Sequence, residues 1–342
     1  HPGGLYGVVR RLRRMCIIDS YTPSTNNIPT RGRYSPFLFD GITFSTGGYS
    51  AEFGQALSSV LLLNTIEEPD QEKTDIGIMS VGATLGNTQK WNKNSLSVNA
   101  SYINLAPYIS AFKDRNDWKK PFEAASGETV FRHKTKKGMF KLYTAFDASN
   151  FNLVQEDINS IDGVHFKLNN KNLYFNASYA EKVNSNWAFF TGASYTNAIN
   201  KVNIDDSAIK DTENALHAKL KLKHRFSNRF KLNFGAEYFS TDFNEDYTDA
   251  VTLPLDYGFK NNIAAAFTET DVFFSKKMAL KAGLRVEYSE LFKQATVSPR
   301  VSLAYKTSKK SQVSLAYGDF YQNPGNDILK FNQDLEAQKT QH

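Results

Sequence analysis

A two-residue alternation of side-chain character recurs along most of this chain and constrains its fold more than any other feature. Strands send successive side chains to opposite faces, whereas helices repeat every 3.6 residues. From position 218 onward one face carries Ala218, Leu220, Leu222 and Phe226, interrupted by His224, and the other carries Lys219, Lys221, Lys223 and Arg225. After Ser227-Asn228-Arg229 the rhythm resumes, with Phe230, Leu232, Phe234, Ala236 and Tyr238 set against Lys231, Asn233, Gly235 and Glu237. That pair reads as a β-hairpin. The pattern repeats around Leu96 to Tyr102, Leu173 to Tyr179, Trp187 to Tyr195 and Leu280 to Tyr288, and more weakly elsewhere. About a dozen strands are predicted between Thr74 and Tyr321, with helical periodicity nearly absent.

The connections are asymmetric. Short turns at 92–94, 136–138, 184–186, 227–229, 276–277 and 308–310 alternate with long polar stretches near 106–128, 150–170, 198–212 and 242–257. One tight rim and one elaborate rim is the layout of an outer-membrane barrel, with short periplasmic turns and long outer loops. Trp91, Trp187, Phe226, Phe230, Phe274 and Tyr305 lie beside the short turns, where an interfacial aromatic girdle would sit. A soluble β-sandwich would show the same apolar faces; the turn-and-loop layout favours the barrel. A Lys or Arg at the midplane of a lipid face costs about 2–4 kcal/mol, so Lys219, Lys221, Lys223 and Arg225 are expected to face the lumen. Gly192, Gly235 and Gly283 share that inward parity, which predicts bends or the close approach of another element.

Composition agrees with strands in a membrane setting. Aromatic residues make up 13% of 342 residues, with 26 Phe and 17 Tyr, although mean hydropathy is −0.47. A membrane helix needs roughly 20 consecutive apolar residues, and the runs Val60 to Leu63 and Ile263 to Phe267 are far shorter. The first twenty residues hold Arg10, Arg11, Arg13 and Arg14 without the apolar core of a secretory signal, so the start reads as truncated or processed. The single cysteine, Cys16, allows no disulfide framework. A net charge of +6 is mild and dispersed; it argues for no nucleic-acid partner and suits a surface facing lipopolysaccharide.

Residues 31–65 depart from the barrel pattern, with turn signals at Asp40-Gly41 and Gly47-Gly48 and an apolar run from Val60 to Leu63. The run Gly47-Gly48-Tyr49-Ser50-Ala51-Glu52-Phe53-Gly54, followed by Ser58 to Thr65, resembles the end of the plug domain of TonB-dependent receptors. Leu38-Phe39-Asp40-Gly41 is similar to that family's plug turn. Tyr321 to Asn326, with Leu329 and Glu336, resembles the loop before a middle strand of such barrels. The resemblance implies an all-β chain: a partial transmembrane, antiparallel, up-and-down β-barrel of about 12–13 strands after a fragment of a plug. It divides the chain into a poorly defined segment 1–30, the carboxy-terminal part of a plug over 31–70, and the first half of a barrel over 71–342. Asp40, Gly41, Gly47, Gly48, Ala51 and Gly54 form the plug-junction motif. Complete members have a full plug, a TonB box and 22 strands. An open half-barrel exposes two edges that lipid cannot satisfy, so the chain alone is expected not to insert stably.

The implied function is active uptake of a scarce, large solute such as a metal-siderophore, vitamin or oligosaccharide. The implied partners are the Gram-negative outer membrane's lipid and lipopolysaccharide, the ligand, and the TonB complex through a part upstream. A passive porin-like or structural barrel and a barrel hydrolase are the alternatives. The plug-like segment weighs against the first. Against the second, His1, His133, His165, His217, His224 and His342 are scattered singly, without ligand or triad spacing, although His133 or His224 is a conceivable base. No cofactor and no metal site are expected. The loop acids Glu156, Asp157, Asp205, Asp206, Glu245, Asp246 and Asp249 read as solvated rather than cation-binding. Lumenal Lys219, Lys221, Lys223, Lys231, Lys281, Arg285, Glu237 and Glu287 read as hydrating the wall and pairing across strands, with contact to a plug or an anionic ligand as the other reading. Tyr108, Trp118 and Tyr247, with Phe112 and Phe122, are the outer aromatic candidates for ligand contact.

Overall fold

A computed structural model describes residues 38–341 apart from 47, 58, 113–116, 158–159, 251–253, 309–310 and 332–334. The 1–30 segment, Cys16 and Gly47 therefore lie outside the described residues. Strands β1 (Phe39–Thr46) and β2 (Ser59–Thr65) form an antiparallel pair. After them come β3 (Lys73–Met79), β4 (Gly82–Trp91), β5 (Asn94–Asn104), a short helix α1 (Ala106–Ala111), β6 (Asp117–Lys134) and β7 (Gly138–Asp157). Then follow β8 (Ser160–Lys182), β9 (Trp187–Ile204), β10 (Ser207–Arg225), β11 (Phe230–Thr248) and β12 (Leu255–Phe273). The chain continues through β13 (Met278–Ser289), β14 (Gln294–Lys306), β15 (Gln312–Gln322), the single turn α2 (Asn326–Leu329) and β16 (Gln338–Gln341). Strands β3 to β16 form one 14-stranded antiparallel sheet in strict sequence order, with β3 and β16 as its two edges. The expected meander of hairpins is thus present.

Burial is inverted relative to a soluble domain. Leu220 is 43% exposed while its neighbour Lys219 is 7% exposed. Likewise Leu284 and Val286 stand in the open on either side of Arg285, which is fully buried. An outward face of this kind is stable only against hydrocarbon, where apolar side chains are at no disadvantage and every backbone group is already paired across the ladder. Trp91, Phe226, Phe230, Phe274 and Tyr305 are all exposed at the tight rim, as a girdle requires. Tyr102, Tyr195, Tyr238 and Tyr288 are exposed further along their strands and form a second aromatic level.

Two expectations need correction. The polar stretches near 150–170 and 198–212 are not long loops: β7 runs to Asp157, β8 restarts at Ser160, and only Asp205 and Asp206 separate β9 from β10. The stretch 106–128 likewise shrinks to α1 and a short link, since β6 begins at Asp117, and 242–257 shrinks to the link between Thr248 and Leu255. The physical reason is a reversal of phase. Phe146 points outward at 50% exposure, whereas Phe151 and Leu153, of opposite parity, point inward and are buried. Beyond the lipid the outer face meets water and the inner face takes the rings, so a search for one continuous alternation loses the strand there. Asp40-Gly41 also is not a turn but lies within β1, at an irregularity of register between Phe39 and Ile42.

In a barrel closed through both edges, Leu220→Arg should lower folding stability in vesicles by about 2–4 kcal/mol. Asn233→Arg on the inward face should stay close to the parent, with urea unfolding of the heat-modifiable band as the readout.

Candidate functional site

The inward face is charged, and the segment between β1 and β2 lies against it. Gly48, at φ +56°, takes the left-handed conformation that turns the chain toward the wall, and a side chain there would collide with Ala316. Tyr49 is buried; its hydroxyl donates to the Ala56 carbonyl and its ring packs at a tilt against Phe320 with centroids 4.6 Å apart. The Arg300 guanidinium lies 4.6 Å from both ring centroids and donates from Nη1 to the carbonyls of Ser50 (2.6 Å) and Phe53 (2.7 Å). Ala51 is fully buried and its N–H donates to Glu269 Oε2 at 2.8 Å. A Cβ on Gly283 would come within 2.8 Å of the Ala51 Cβ, so the expected close approach at that glycine is real.

Glu52 accepts from Lys221 at 2.8 Å and pairs with Lys219 at 3.0 Å. Burial alone would raise its pKa, but the two ammonium groups outweigh burial and hold it below the usual carboxylate value. Burial pushes the Tyr49 hydroxyl's pKa up, with Arg300 opposing. Arg285 sits at the centre. Its Nη1 donates to Glu237 Oε2 (2.6 Å) and to the Glu52 carbonyl (3.2 Å), and its Nε donates to Glu287 Oε1 (2.7 Å). Gln55 Nε2 donates to Glu287 Oε2 at 3.0 Å, while Gln55 Oε1 accepts from the Asn323 N–H at 3.0 Å. Gly54 is packed so closely that a Cβ would overlap the headgroups of Glu287 and Arg285. A second anchorage follows β2, where Lys141 Nζ donates to the Thr65 carbonyl (3.0 Å) and Arg132 Nε to that of Ile66 (2.7 Å).

The lumenal charges therefore do more than pair across strands, which corrects the reading preferred from sequence. Lys219, Lys221, Arg285 and Glu287 grip the segment, while Lys219–Glu237 (3.1 Å) and Lys281–Glu269 (3.2 Å) pair along the wall. Of the motif residues, Gly48, Ala51 and Gly54 meet the wall at this site, and Asp40 and Gly41 belong to β1. Tyr49, Glu269, Arg300 and Phe320 were missed. Three of them had a usable signal: Glu269, Arg300 and Phe320 share the inward parity of strands whose other face is apolar.

The outer aromatics divide between sectors. Tyr108 on α1 packs at a tilt against Phe112, the residue that ends that helix (4.9 Å), and both are exposed. Trp118 and Phe122 are not loop residues but lie on β6, Trp118 T-shaped to Phe151 at 6.0 Å and Phe122 tilted to it at 6.4 Å, in an inward apolar group with Leu153, Phe166 and Leu168. Tyr247 lies on β11, five strands away, and its hydroxyl donates to Asp249. Each described histidine has a local partner: His133 with Asn94, His165 with Asn152, His217 with Glu237 and the Phe239 ring, and His224 with Trp187 and Phe226. Among the described residues no group of three or more His, Cys, Asp or Glu is arranged to hold a metal ion.

Two outcomes are expected. Arg285→Ala should leave buried Glu237 and Glu287 uncompensated and cost about 3–5 kcal/mol, seen as a lower urea midpoint and faster hydrogen exchange over residues 49–56. Because the folded-state pKa of Glu52 is lowered from 4.5, its contribution is present above that value and is lost as pH falls through the lowered one. Exchange over 49–56 should then accelerate on acidification in the parent and do so less in Glu52→Gln.

The family model for the β-barrel of TonB-dependent receptor-like proteins matches residues 19–342. No curated protein sequence matches the chain. The copper transporter OprC superposes with a TM-score of 0.69 at 12% identity, over 90% of this chain and 56% of that one. The alcaligin outer-membrane receptor FauA of Bordetella pertussis gives 0.67 at 9% identity, over 84% and 50%. The siderophore receptor PirA of Pseudomonas aeruginosa gives 0.61 at 15% identity, over 89% and 53%. The chain spans about half the length of these structures.

Proposed function

The chain belongs to the TonB-dependent receptor-like β-barrel family, and from that membership we propose that it is part of a receptor for active uptake of a scarce, large solute across the Gram-negative outer membrane. Residues 31–70 are the end of its plug, and 71–342 the first half of its barrel. Its partners are the membrane's lipid and lipopolysaccharide, the solute, and the TonB complex, engaged through a part of the protein upstream. The solute class is that of a metal-siderophore, vitamin or oligosaccharide. Uptake involves no covalent change to it.

One observation carries the reading: the 49–56 segment is fixed to the inner wall mainly by ion pairs and hydrogen bonds. A freely open pore leaves its inner wall to water, whereas here an element lies against that wall. For a segment that must move, polar anchorage is suitable, because water entering the lumen can replace each bond as it breaks. The net worth of such a bond is only about 0.5–1.5 kcal/mol, or about 1.5–3 where one partner is charged. A purely apolar contact of the same extent would expose its whole area to water on release.

The test is uptake of radiolabelled ferric siderophores, cobalamin and oligosaccharides by cells carrying the complete receptor, with and without TonB. Expected is a solute that binds the surface in both strains and enters only where TonB is present. Entry that is indifferent to TonB would make the protein a passive barrel.

A further inference from the structure

The Glu52 carboxylate rests on the top of a ladder of cations. Toward the tight rim the inward positions of β10 are Lys219, Lys221, Lys223 and Arg225, one at every second residue, which sets them about 7 Å apart along the strand. Glu52 spans the first two rungs. The third and fourth are exposed. Lys221 is flanked across the sheet by Phe190 and Gly235, and Lys223 by Ala188 and Asn233, so no acid faces either from directly opposite. Among the described residues Lys223 has no hydrogen bond, ion pair or ring contact, and Arg225 donates to the Ser185 carbonyl at the rim (2.9 Å). Lys231 stands directly opposite Arg225, and like charges so placed destabilise a sheet. Asp271, opposite Lys231 on the other side, lies 3.7 Å from Lys281. Above Lys219 the sign reverses: Glu213 and Glu245 face inward, but Asn326 donates to the first (2.8 Å) and Lys330 pairs with the second. Those acids are met by donors of the chain itself, whereas among the described residues no ion pair relieves Lys223 or Arg225.

We propose that this ladder is a transit site for an oxyanion, and that the carboxylate or phosphate groups of the solute take its rungs in turn as the segment leaves them. The proposal rests on the uptake reading above and narrows its solute to an anion. Glu52 shows what the upper rungs accept: a carboxylate oxygen held by two ammonium groups at 2.8 and 3.0 Å. When the segment withdraws, Glu52 leaves with it. Lys219 then retains Glu237, while Lys221 loses its ion-pair partner and joins Lys223 and Arg225 in one uncompensated row. Spacing suits passage, because neighbouring rungs lie closer than the screening length of about 8 Å at physiological salt. An anion therefore feels the next rung before it has left the last. Exposure suits passage as well, since exposed ion pairs are weak and a group that must move on cannot be held tightly. A neutral solute would gain nothing from such a row, and a cationic one would be repelled by it.

The experiment uses the complete receptor and has two arms. In detergent, hydrogen exchange over residues 49–56 is measured in citrate, in inorganic phosphate and in sodium chloride at equal pH and ionic strength. Citrate or phosphate, competing with Glu52 for the upper rungs, should accelerate exchange at least threefold over chloride, and Glu52→Gln should abolish the difference. Which of the two acts more strongly separates carboxylate from phosphate chemistry. In cells, the double variant Lys223→Gln, Arg225→Gln should lower TonB-dependent entry of the transported solute at least tenfold while surface binding stays within twofold. The charge-keeping pair Lys223→Arg, Arg225→Lys should keep entry, and Lys260→Gln, an exposed outward lysine on β12, should match the parent. Equal exchange in all three salts, undiminished entry in the Gln pair, or TonB-dependent entry of a neutral or cationic solute overturns the site. So does faster exchange over 49–56 in the Gln pair without added oxyanion, which would make the lower rungs anchors of the protein's own segment. Entry that is indifferent to TonB overturns the uptake reading instead, and the response of the isolated receptor to citrate and phosphate then decides whether the ladder binds oxyanions at all.

Discussion

Backbone pairing is the constraint on which the rest of this molecule depends. In a meander of 14 strands, each N–H and C=O finds its partner on the next strand, and hydrocarbon offers none if it does not. That ladder fixes the side-chain parity. Once the strands stand in register, every residue belongs to one of two surfaces in different solvents. The same strand can then carry Leu216, Leu220 and Leu222 for lipid and His217, Lys219 and Lys221 for the lumen, one position apart.

Parity also concentrates charge on the inner face, where it needs partners. Lys219, Arg285 and Arg300 are shielded from bulk water, and an unpaired buried cation costs several kcal/mol. The wall meets part of this need itself, through Glu237 and Glu287. The segment between β1 and β2 supplies the remainder through Glu52 and through main-chain oxygens. Wall and segment thus share one polar network, in which each supplies partners the other lacks, and among the described residues the buried Arg300 Nε stays without a hydrogen bond.

How much of this was legible in the sequence follows from the same physics. Near the tight rim, lipid and lumen enforce a sharp contrast between adjacent residues, so the Lys219 strand, its hairpin partner and the girdle rings could be read directly. Beyond the lipid both faces meet water in some measure, the apolar phase switches between Phe146 and Phe151, and strands appear as loops. The segment's turn was visible through Gly48 and Gly54. Its contacts were not, because Glu269, Arg285 and Arg300 are 218 to 250 residues away from the groups they hold. Periodicity reports which way a side chain points and is silent about what waits there.

The grip on the segment falls largely on peptide carbonyls: Ser50, Ala51, Glu52 and Phe53 to the arginines of β13 and β14, and Thr65 and Ile66 to Lys141 and Arg132. A peptide oxygen is the same on every residue. The wall therefore recognises the path of the main chain and reads side chains at Tyr49, Glu52, Phe53 and Gln55. Elsewhere in the segment side-chain identity is free to drift wherever bulk is tolerated. The positions under strictest control are those where bulk is not, Gly48, Ala51 and Gly54, so that much of the information carried by this part of the chain is an instruction to stay small.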